Sequence, residues 1–160
     1  MEITYNLLEK HINGQALESN YQLLASRGAE AMAVIKSAGY GHGLVKTAQA
    51  FSRAGAETLA AGTVREAADI RDSGFAGRVV ALLGPLGSDD CILARDKNIL
   101  CFASRMEQLE TLSSIAEQGK PLGVALKFNT GMSRLGFTLS DIPAIAERVE
   151  KLEGIVPAMA

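Results

Sequence analysis

The sequence predicts an α/β protein built from repeated strand–helix units, and three observations support that fold class. Short β-branched or apolar runs recur at intervals of 20 to 27 residues. Segments with the 3.6-residue spacing of an amphipathic helix fill the intervals. The apolar runs are nearly continuous rather than alternating, which is typical of parallel strands that are buried on both faces.

These runs predict five strands, and the final residues, GIVPAMA, begin a sixth. The five predicted strands cover residues 31–36, 58–62, 78–83, 98–102 and 122–128. The predicted helices cover residues 15–25, 44–54, 64–72 and 88–97, followed by one that opens at Ser104 and one that opens at Ser140 or Asp141.

Local signals mark where several helices begin. Ser88 is the predicted N-cap of the fourth helix, because a serine hydroxyl accepts well from the first free N–H groups. Ser104, followed three residues later by Glu107, predicts a capping box. Pro143 suits the first turn of the last helix, where its missing N–H costs nothing.

The repeat fits two architectures. A doubly wound, flavodoxin-like sheet needs five strands and roughly 150 residues, which this chain of 160 residues can supply. A (β/α)₈ barrel typically needs about 250 residues, of which this chain would form a part. Both architectures have the same βα periodicity, so periodicity alone does not choose between them.

Composition excludes several classes of protein. The chain is 48% apolar and 21% charged, and its length corresponds to one globular domain. Sixteen basic against eighteen acidic residues give a net charge of −2, which argues against a nucleic-acid binder that works by basic charge. No apolar run approaches the roughly 18 residues of a membrane span, and the N-terminus is too charged for a signal peptide. A cytoplasmic protein is therefore predicted.

The cysteines and histidines do not predict a metal site. Cys91 and Cys101 form neither a disulfide framework nor a metal-binding knuckle, so reduced thiols are predicted. His11 and His42 lack the spacing to carboxylates that metal ligands show, and a solvated or loop role is predicted for both.

The first chemistry-bearing segment is AVIKSAGYGHG, residues 33–43. Lys36 lies at the carboxyl end of a predicted strand, where α/β proteins bind ligands and where a lysine amine suits Schiff-base chemistry. A helix that begins near Gly43 favours a phosphate at its N-terminus, and Tyr40 offers a hydroxyl donor. The glycines in the segment, which permit positive φ and close ligand approach, are Gly39, Gly41 and Gly43. A glycine-rich turn with a solvated lysine stays open as the alternative.

The second segment is ALKFNTGMSRLGF, residues 125–137. Lys127 again lies near the end of a strand, and Arg134 follows it in the next loop. An arginine there can donate its fixed fork of N–H groups to an oxyanion or a phenolate. A surface arginine that bonds loop carbonyls is the alternative.

Together the two segments resemble the N-terminal part of the alanine racemase family. The family's first strand reads much like A-V-V-K-A-N-A-Y-G-H-G, and its second signature reads K-x-D-T-G-M-x-R-L-G, against KFNTGMSRLG in this chain. The segment INGQALESNYQLL, residues 12–24, is similar to the family's opening helix. The chain departs from the pattern at Asn129, where the family usually has aspartate, and at residues 37–39, where Ala-Asn-Ala is common.

The resemblance implies a role for each matching residue. Lys36 corresponds to the lysine that holds pyridoxal 5'-phosphate as an internal aldimine and serves as one of two catalytic bases. Tyr40 corresponds to a phosphate-contacting tyrosine, and Arg134 to the arginine that hydrogen-bonds the phenolic oxygen of the cofactor. Lys127 is similar to a lysine that is carbamylated in some members, where it orients that arginine.

For the whole chain, the resemblance implies a partial (β/α)₈ TIM-type barrel of a fold-type III pyridoxal-phosphate enzyme. Residues 1–160 would form the N-terminal portion, with the rest of the barrel and a C-terminal β-domain outside the chain. The implied activity is racemisation of L-alanine to D-alanine for peptidoglycan. The implied enzyme is a homodimer in which the partner subunit supplies the second base, so this chain is not expected to be active alone.

Other interpretations of the function stay open at this point. One is a different fold-type III enzyme, such as an amino-acid decarboxylase or a D-amino-acid aldolase or dehydratase. Another is a non-catalytic barrel that carries pyridoxal phosphate. A third is a self-contained binding module of five strands.

Overall fold

The protein is described by a computed structural model that covers residues 9–28, 30–116 and 120–159. Within those residues a single six-stranded sheet alternates along the chain with helices, which confirms the predicted α/β class. Every predicted strand is present, and its ends lie within two residues of the prediction.

The strands are β1 Met32–Val34, β2 Thr58–Ala61, β3 Arg78–Ala81, β4 Leu100–Ala103, β5 Leu122–Leu126 and β6 Ile155–Met159. The helices are α1 Gly14–Ala25, α3 Leu44–Arg53, α4 Val64–Asp72, α5 Ser88–Asp96, α6 Met106–Ala116 and α7 Ile142–Val149. Two shorter elements are α2 Lys36–Tyr40, which follows β1, and a 3₁₀ turn, Leu139–Asp141, which precedes α7.

The strand order decides between the two architectures. The strands lie side by side in the order β1-β2-β3-β4-β5-β6, and each neighbouring pair is parallel. A doubly wound sheet reverses its strand order at a switch point, whereas a (β/α)₈ barrel adds each new strand on the same side of the last. The fold is therefore a partial barrel of the TIM type.

The two faces of the sheet are packed differently, as a barrel requires. Along β2, Leu59 and Ala61 join a large buried cluster that also takes residues from the helices, whereas Ala60 joins a small cluster. The buried members of the small cluster are strand residues, namely Ala60, Val80, Leu100 and Ala125. Since successive side chains in a strand point to opposite faces, the helices cover one face and the small cluster fills the inner face.

The predicted N-cap at Ser88 is wrong. Gly87 is the N-cap of α5, and Ser88 is already inside the first turn. The turn is fastened by Asp90 instead, because its carboxylate accepts from the Leu86 N–H at 3.0 Å.

The predicted capping box of Ser104 and Glu107 is also wrong. The side-chain oxygen of Gln108 accepts from the backbone N–H of Ser104 at 3.0 Å and from its hydroxyl at 3.3 Å. The amide nitrogen of the buried Gln108 donates to the carbonyls of Leu83 and Pro85 at 3.2 and 3.1 Å. Gln108 takes the place of Glu107 because its side-chain amide forms hydrogen bonds with its own turn and with the neighbouring βα loop at the same time.

At the amino ends of β3 and β4, the side chain of one arginine connects the two segments that lead into the strands. Arg71, near the end of α4, donates to backbone carbonyls that lie before β3 and before β4. Those carbonyls belong to Phe75, Gly77, Lys97 and Asn98. Burial lowers the pKa of Arg71 below its ordinary value.

Both cysteines are buried and unbonded to each other. Burial, with Asp90 adding to it, raises the pKa of the Cys91 thiol to about 11. Burial, followed by the nearby Cys91 and Asp90, raises the pKa of Cys101 to about 12. Among the helices that the structure describes, none is long and apolar enough to cross a membrane.

Candidate active site

Lys36 lies directly beyond the carboxyl end of β1. The N–H of Ile35 still bonds the Ala60 carbonyl at 2.8 Å, so the sheet pairing continues until the residue before the lysine. A methyl group at Gly62 would lie 3.4 Å from Cβ and 3.9 Å from Cδ of Lys36. The stem of the lysine therefore runs past the end of β2, along the edge where barrels of this type bind ligands.

The residues after Lys36 form a turn of left-handed helix. Ser37, Ala38 and Tyr40 have φ values of 54°, 54° and 52°, and Gly39 between them has 63°. The turn is closed by the Gly39 N–H on the Ile35 carbonyl, at 2.9 Å. Since left-handed helix costs about 1–2 kcal/mol for each non-glycine residue, this segment holds strain that the surrounding contacts must offset. The sequence predicts positive φ only at the glycines of this segment, so the positive φ of Ser37, Ala38 and Tyr40 is a difference from the prediction.

Glu66 connects this turn to the next βα unit. One carboxylate oxygen of Glu66 accepts from the N–H groups of Gly62 and Thr63 at 2.9 and 3.2 Å, and the Thr63 hydroxyl accepts from the Glu66 N–H. The other oxygen accepts from the Ser37 N–H at 2.7 Å. Glu66 was not among the predicted site residues, although the spacing of T-V-R-E, residues 63–66, is the signal for a capping box.

Tyr40 and the start of α3 complete this side of the site. Tyr40 ends the left-handed turn with 59% of its surface exposed. Gly43 precedes α3 with φ of 93°, so the N-terminus of α3 follows the turn directly, as predicted. His42 has a loop role, as predicted, since its Nδ1 lies 2.8 Å from the Gly39 carbonyl.

Lys127 and Arg134 lie in the loop that follows β5. The Lys127 carbonyl accepts from the Phe137 N–H at 2.8 Å, and the Asn129 N–H donates to the Phe137 carbonyl at 2.8 Å, which closes the loop at its base. Gly136 makes that closure possible, because a Cβ there would meet the Lys127 carbonyl oxygen at 2.9 Å. Arg134 is exposed on the loop.

Asn129 keeps the loop in shape despite its departure from the family pattern. Its side-chain oxygen accepts from the N–H groups of Gly131 and Ser133 at 3.1 and 2.9 Å. The carboxylate of an aspartate would accept the same two bonds, so the change to asparagine preserves them.

The two segments share one edge of the sheet but not neighbouring strands. Lys36 and Tyr40 follow β1, whereas Lys127 and Arg134 follow β5, with the ends of β2, β3 and β4 between them. The Lys127 amine lies 5.8 Å from the ring centre of Phe102, at the end of β4. Throughout the described ranges no group of three or more His, Cys, Asp or Glu side chains is placed to hold a metal ion.

The fold is that of a barrel protein, with a parallel βα sheet and helices on one face. Its carboxyl edge carries a lysine next to a left-handed turn, together with a phenol and a guanidinium group. The family model for the alanine racemase N-terminal domain matches residues 12–159. The chain belongs to the alanine racemase family, as the sequence resemblance indicated.

Curated relatives and solved structures agree with this assignment. The chain is 40% identical to an alanine racemase of Nitratidesulfovibrio vulgaris over 99% of its own length, and 35% identical to one of Mycobacterium avium over 94%. It superposes on alanine racemases from Streptomyces lavendulae and E. faecalis with TM-scores of 0.83 and 0.81, at 29% and 30% identity, over 91% of the chain in both cases. The chain spans 43% and 40% of those two curated relatives, and 40% and 41% of those two solved chains.

Proposed function

We propose that the full-length protein containing this chain racemises alanine with pyridoxal 5'-phosphate, and that this chain holds the cofactor and supplies one of two bases. The observation that carries the proposal is the place of Lys36, beyond β1 and at the head of the left-handed turn. Family membership and the relatives named alanine racemase support the same activity.

The residues after β1 fit the aldehyde and the phosphate of that cofactor. The Lys36 amine would hold the cofactor covalently, since its stem runs along the binding edge. The hydroxyl of Tyr40, an exposed residue, would donate to the phosphate, and the N-terminus of α3, which begins after Gly43, would add favourable dipoles. This short segment therefore offers an amine for the aldehyde, and a phenol and a helix N-terminus for the phosphate.

The loop after β5 would hold the other side of the cofactor. Arg134 would donate to its phenolic oxygen through the guanidinium N–H groups. We propose that Lys127 is carbamylated: its amine nitrogen forms a bond to the carbon of carbon dioxide, and one proton leaves. The resulting anion would orient Arg134 and would remove the repulsion between two cations in one loop.

Pyridoxal phosphate, when bound, supplies a ring that delocalises the charge left on the substrate α-carbon. The Lys36 amine, free while the substrate is attached, removes or returns the α-proton on one face. Racemisation requires a second base on the opposite face, and we assign it to a tyrosine of the partner subunit, as the resemblance implies. The proposal thus includes a homodimer, a cytoplasmic location and D-alanine destined for peptidoglycan.

Cofactor binding is tested by adding pyridoxal phosphate to the full-length protein freed of cofactor. An absorbance band near the visible edge should appear, and borohydride should fix the added mass on the peptide that contains Lys36. Lys36→Ala should abolish both signals, whereas the control Lys46→Ala, an exposed lysine on α3, should keep them. No band, or label on another lysine, would contradict the proposal.

The reaction is tested by incubating the full-length protein with L-alanine and separating the enantiomers. D-alanine should accumulate toward an equal mixture. Release of carbon dioxide or an aldehyde without D-alanine would instead favour a decarboxylase or an aldolase. Binding of the cofactor without any reaction of alanine or other amino acids would favour a carrier protein.

A further inference from the structure

We propose that Glu66 is the positioning residue for Lys36, acting through the backbone of the turn rather than through the lysine amine. The inference rests on the proposed function, in which Lys36 carries the cofactor. It is argued from the hydrogen bonds that the Glu66 carboxylate accepts, because helix capping accounts for only some of them.

The two carboxylate oxygens of Glu66 have different tasks. The bonds from Gly62 and Thr63 to one oxygen are local and form an ordinary capping box. The 2.7 Å bond from the Ser37 N–H to the other oxygen crosses 29 residues of sequence and joins two βα units. A capping box needs only the first oxygen, so the second is available to fix the neighbouring turn.

The Ser37 N–H belongs to the peptide bond that directly follows Lys36. Because that peptide is planar, holding its N–H also fixes the orientation of the Lys36 carbonyl and restricts the lysine backbone. Ser37 is also the first left-handed residue, with φ of 54° and ψ of 55°. The bond therefore acts where the chain leaves the strand direction and enters the turn.

Gly62 gives the carboxylate its path between the two loops. A Cβ at this position would lie 2.9 Å from Oε2 of Glu66 and 3.4 Å from Cβ of Lys36. The absence of a side chain thus lets the carboxylate and the lysine stem pass close to the end of β2. All the bonds that the described part of the chain offers this carboxylate come from backbone N–H groups, which leaves the Lys36 amine to the cofactor.

A second βα unit shows that the side-chain chemistry is matched to the neighbouring loop. Gln108, in the first turn of α6, accepts from Ser104 in its own turn, but it donates to the carbonyls of Leu83 and Pro85 in the neighbouring loop. An amide can do both, because it has donors and acceptors. Around Glu66 each partner is a donor, so an amide at this position would set its own N–H₂ against an N–H group.

The test compares Glu66→Gln with two controls in the full-length protein freed of cofactor. The readout is the rate at which pyridoxal phosphate becomes fixed on Lys36, measured by borohydride trapping and peptide mass across a range of pH. Glu66→Gln should slow this rate about tenfold, the loss expected when a hydrogen bond to a charged group is removed. The pH profile should shift with it, because a misplaced amine has different surroundings.

The controls separate positioning from stability. Thr63→Ala removes the hydroxyl that caps the Glu66 N–H but leaves the Ser37 bond, and Gln108→Glu places a carboxylate against two carbonyls in a unit without the lysine. Both should lower the melting temperature while the rate at Lys36 stays within twofold of the unmodified protein. A Glu66→Gln rate equal to that of the unmodified protein, or an equal loss in both controls, would overturn the proposal.

Two further results complete the experiment. If Glu66→Gln does not fold, amide hydrogen exchange at Ser37 is measured in the unmodified protein instead. Slow exchange there would support the bond to Glu66, and rapid exchange would refute it. If the unmodified protein never labels Lys36, the proposed function fails, whereas labelling that is insensitive to Glu66 defeats only this inference.

Discussion

Replacement of Gly39 by alanine tests how tightly the left-handed turn is packed. Gly39 is buried, has φ of 63°, and lies against Thr47 of α3, which is 3% exposed. An added Cβ would lie 2.7 Å from Oγ1 and 3.2 Å from Cβ of Thr47. In the described residues Oγ1 of Thr47 is a buried polar atom without a hydrogen-bond partner, so no existing bond holds it against displacement.

The magnitude follows from three contributions. Left-handed backbone costs a non-glycine residue about 1–2 kcal/mol. The overlap with Thr47 adds about 1–3 kcal/mol, as in other overpacked interiors. The stiffer unfolded chain returns about 0.4–1 kcal/mol. Together these contributions should lower the free energy of unfolding of Gly39→Ala by about 1–4.6 kcal/mol, with a central value of about 3 kcal/mol.

Urea unfolding followed by circular dichroism measures this loss. Gly41→Ala is the matched control, because Gly41 has φ of 86° but nothing within 4 Å of its added Cβ, so it should lose only about 1 kcal/mol. Combining Gly39→Ala with Thr47→Ala should recover about 1 kcal/mol, since the nearest atom is removed. A Gly39→Ala loss no larger than that of Gly41→Ala, or a double variant no more stable than Gly39→Ala, would refute the packing argument.

Four further outcomes are expected. Arg71→Met should lower the free energy of unfolding by about 2–4 kcal/mol, because it removes charged donors from four backbone carbonyls; a change below about 0.5 kcal/mol in urea unfolding would contradict this. The Cys91 and Cys101 thiols, with pKa values raised to about 11 and about 12, should resist thiol reagents at pH 8 until the chain unfolds. The unfolded thiols ionise near pH 9.0. The contribution of the buried, neutral thiols to the free energy of unfolding should therefore be fully present below that pH and should be lost as pH rises toward 11. A flat urea midpoint across that range would argue against it. The isolated chain should self-associate, because Met32–Val34 and Ile155–Met159 are the edges of its described sheet; a monodisperse monomer at all concentrations in light scattering would show otherwise.

The local pattern of the sequence was sufficient for the strands, for the six longer helices and for placing the candidate residues after strands. The strands were predictable because a buried parallel strand must be apolar along its length, and α4 was predicted at its observed bounds, residues 64–72. The places of Lys36 after β1 and of Arg134 in the loop after β5 were predictable, because both residues lie in short motifs that follow apolar runs. The glycines at 39, 41 and 43 were expected to have positive φ, and all three have it.

The predicted capping box at Ser104 failed because the side chain that takes the place of Glu107 also has partners in another unit. Ser104 bonds Gln108 rather than Glu107, since Gln108 also reaches carbonyls of the β3–α5 loop, more than 20 residues away. In the same way, the bond from the Ser37 N–H to Glu66 depends on β1 and β2 lying side by side, which the sequence does not encode locally.

The sequence by itself determined a βα repeat and the candidate side chains that follow its strands, because periodicity and residue chemistry are local properties. Only the tertiary structure decided the strand order that makes this a partial barrel, since the same repeat can wind in one direction or in two. It also decided that Ser37, Ala38 and Tyr40 adopt left-handed backbone. That conformation is unfavourable for each residue alone and persists because contacts across the sheet edge, including the Glu66 carboxylate, hold the turn in place.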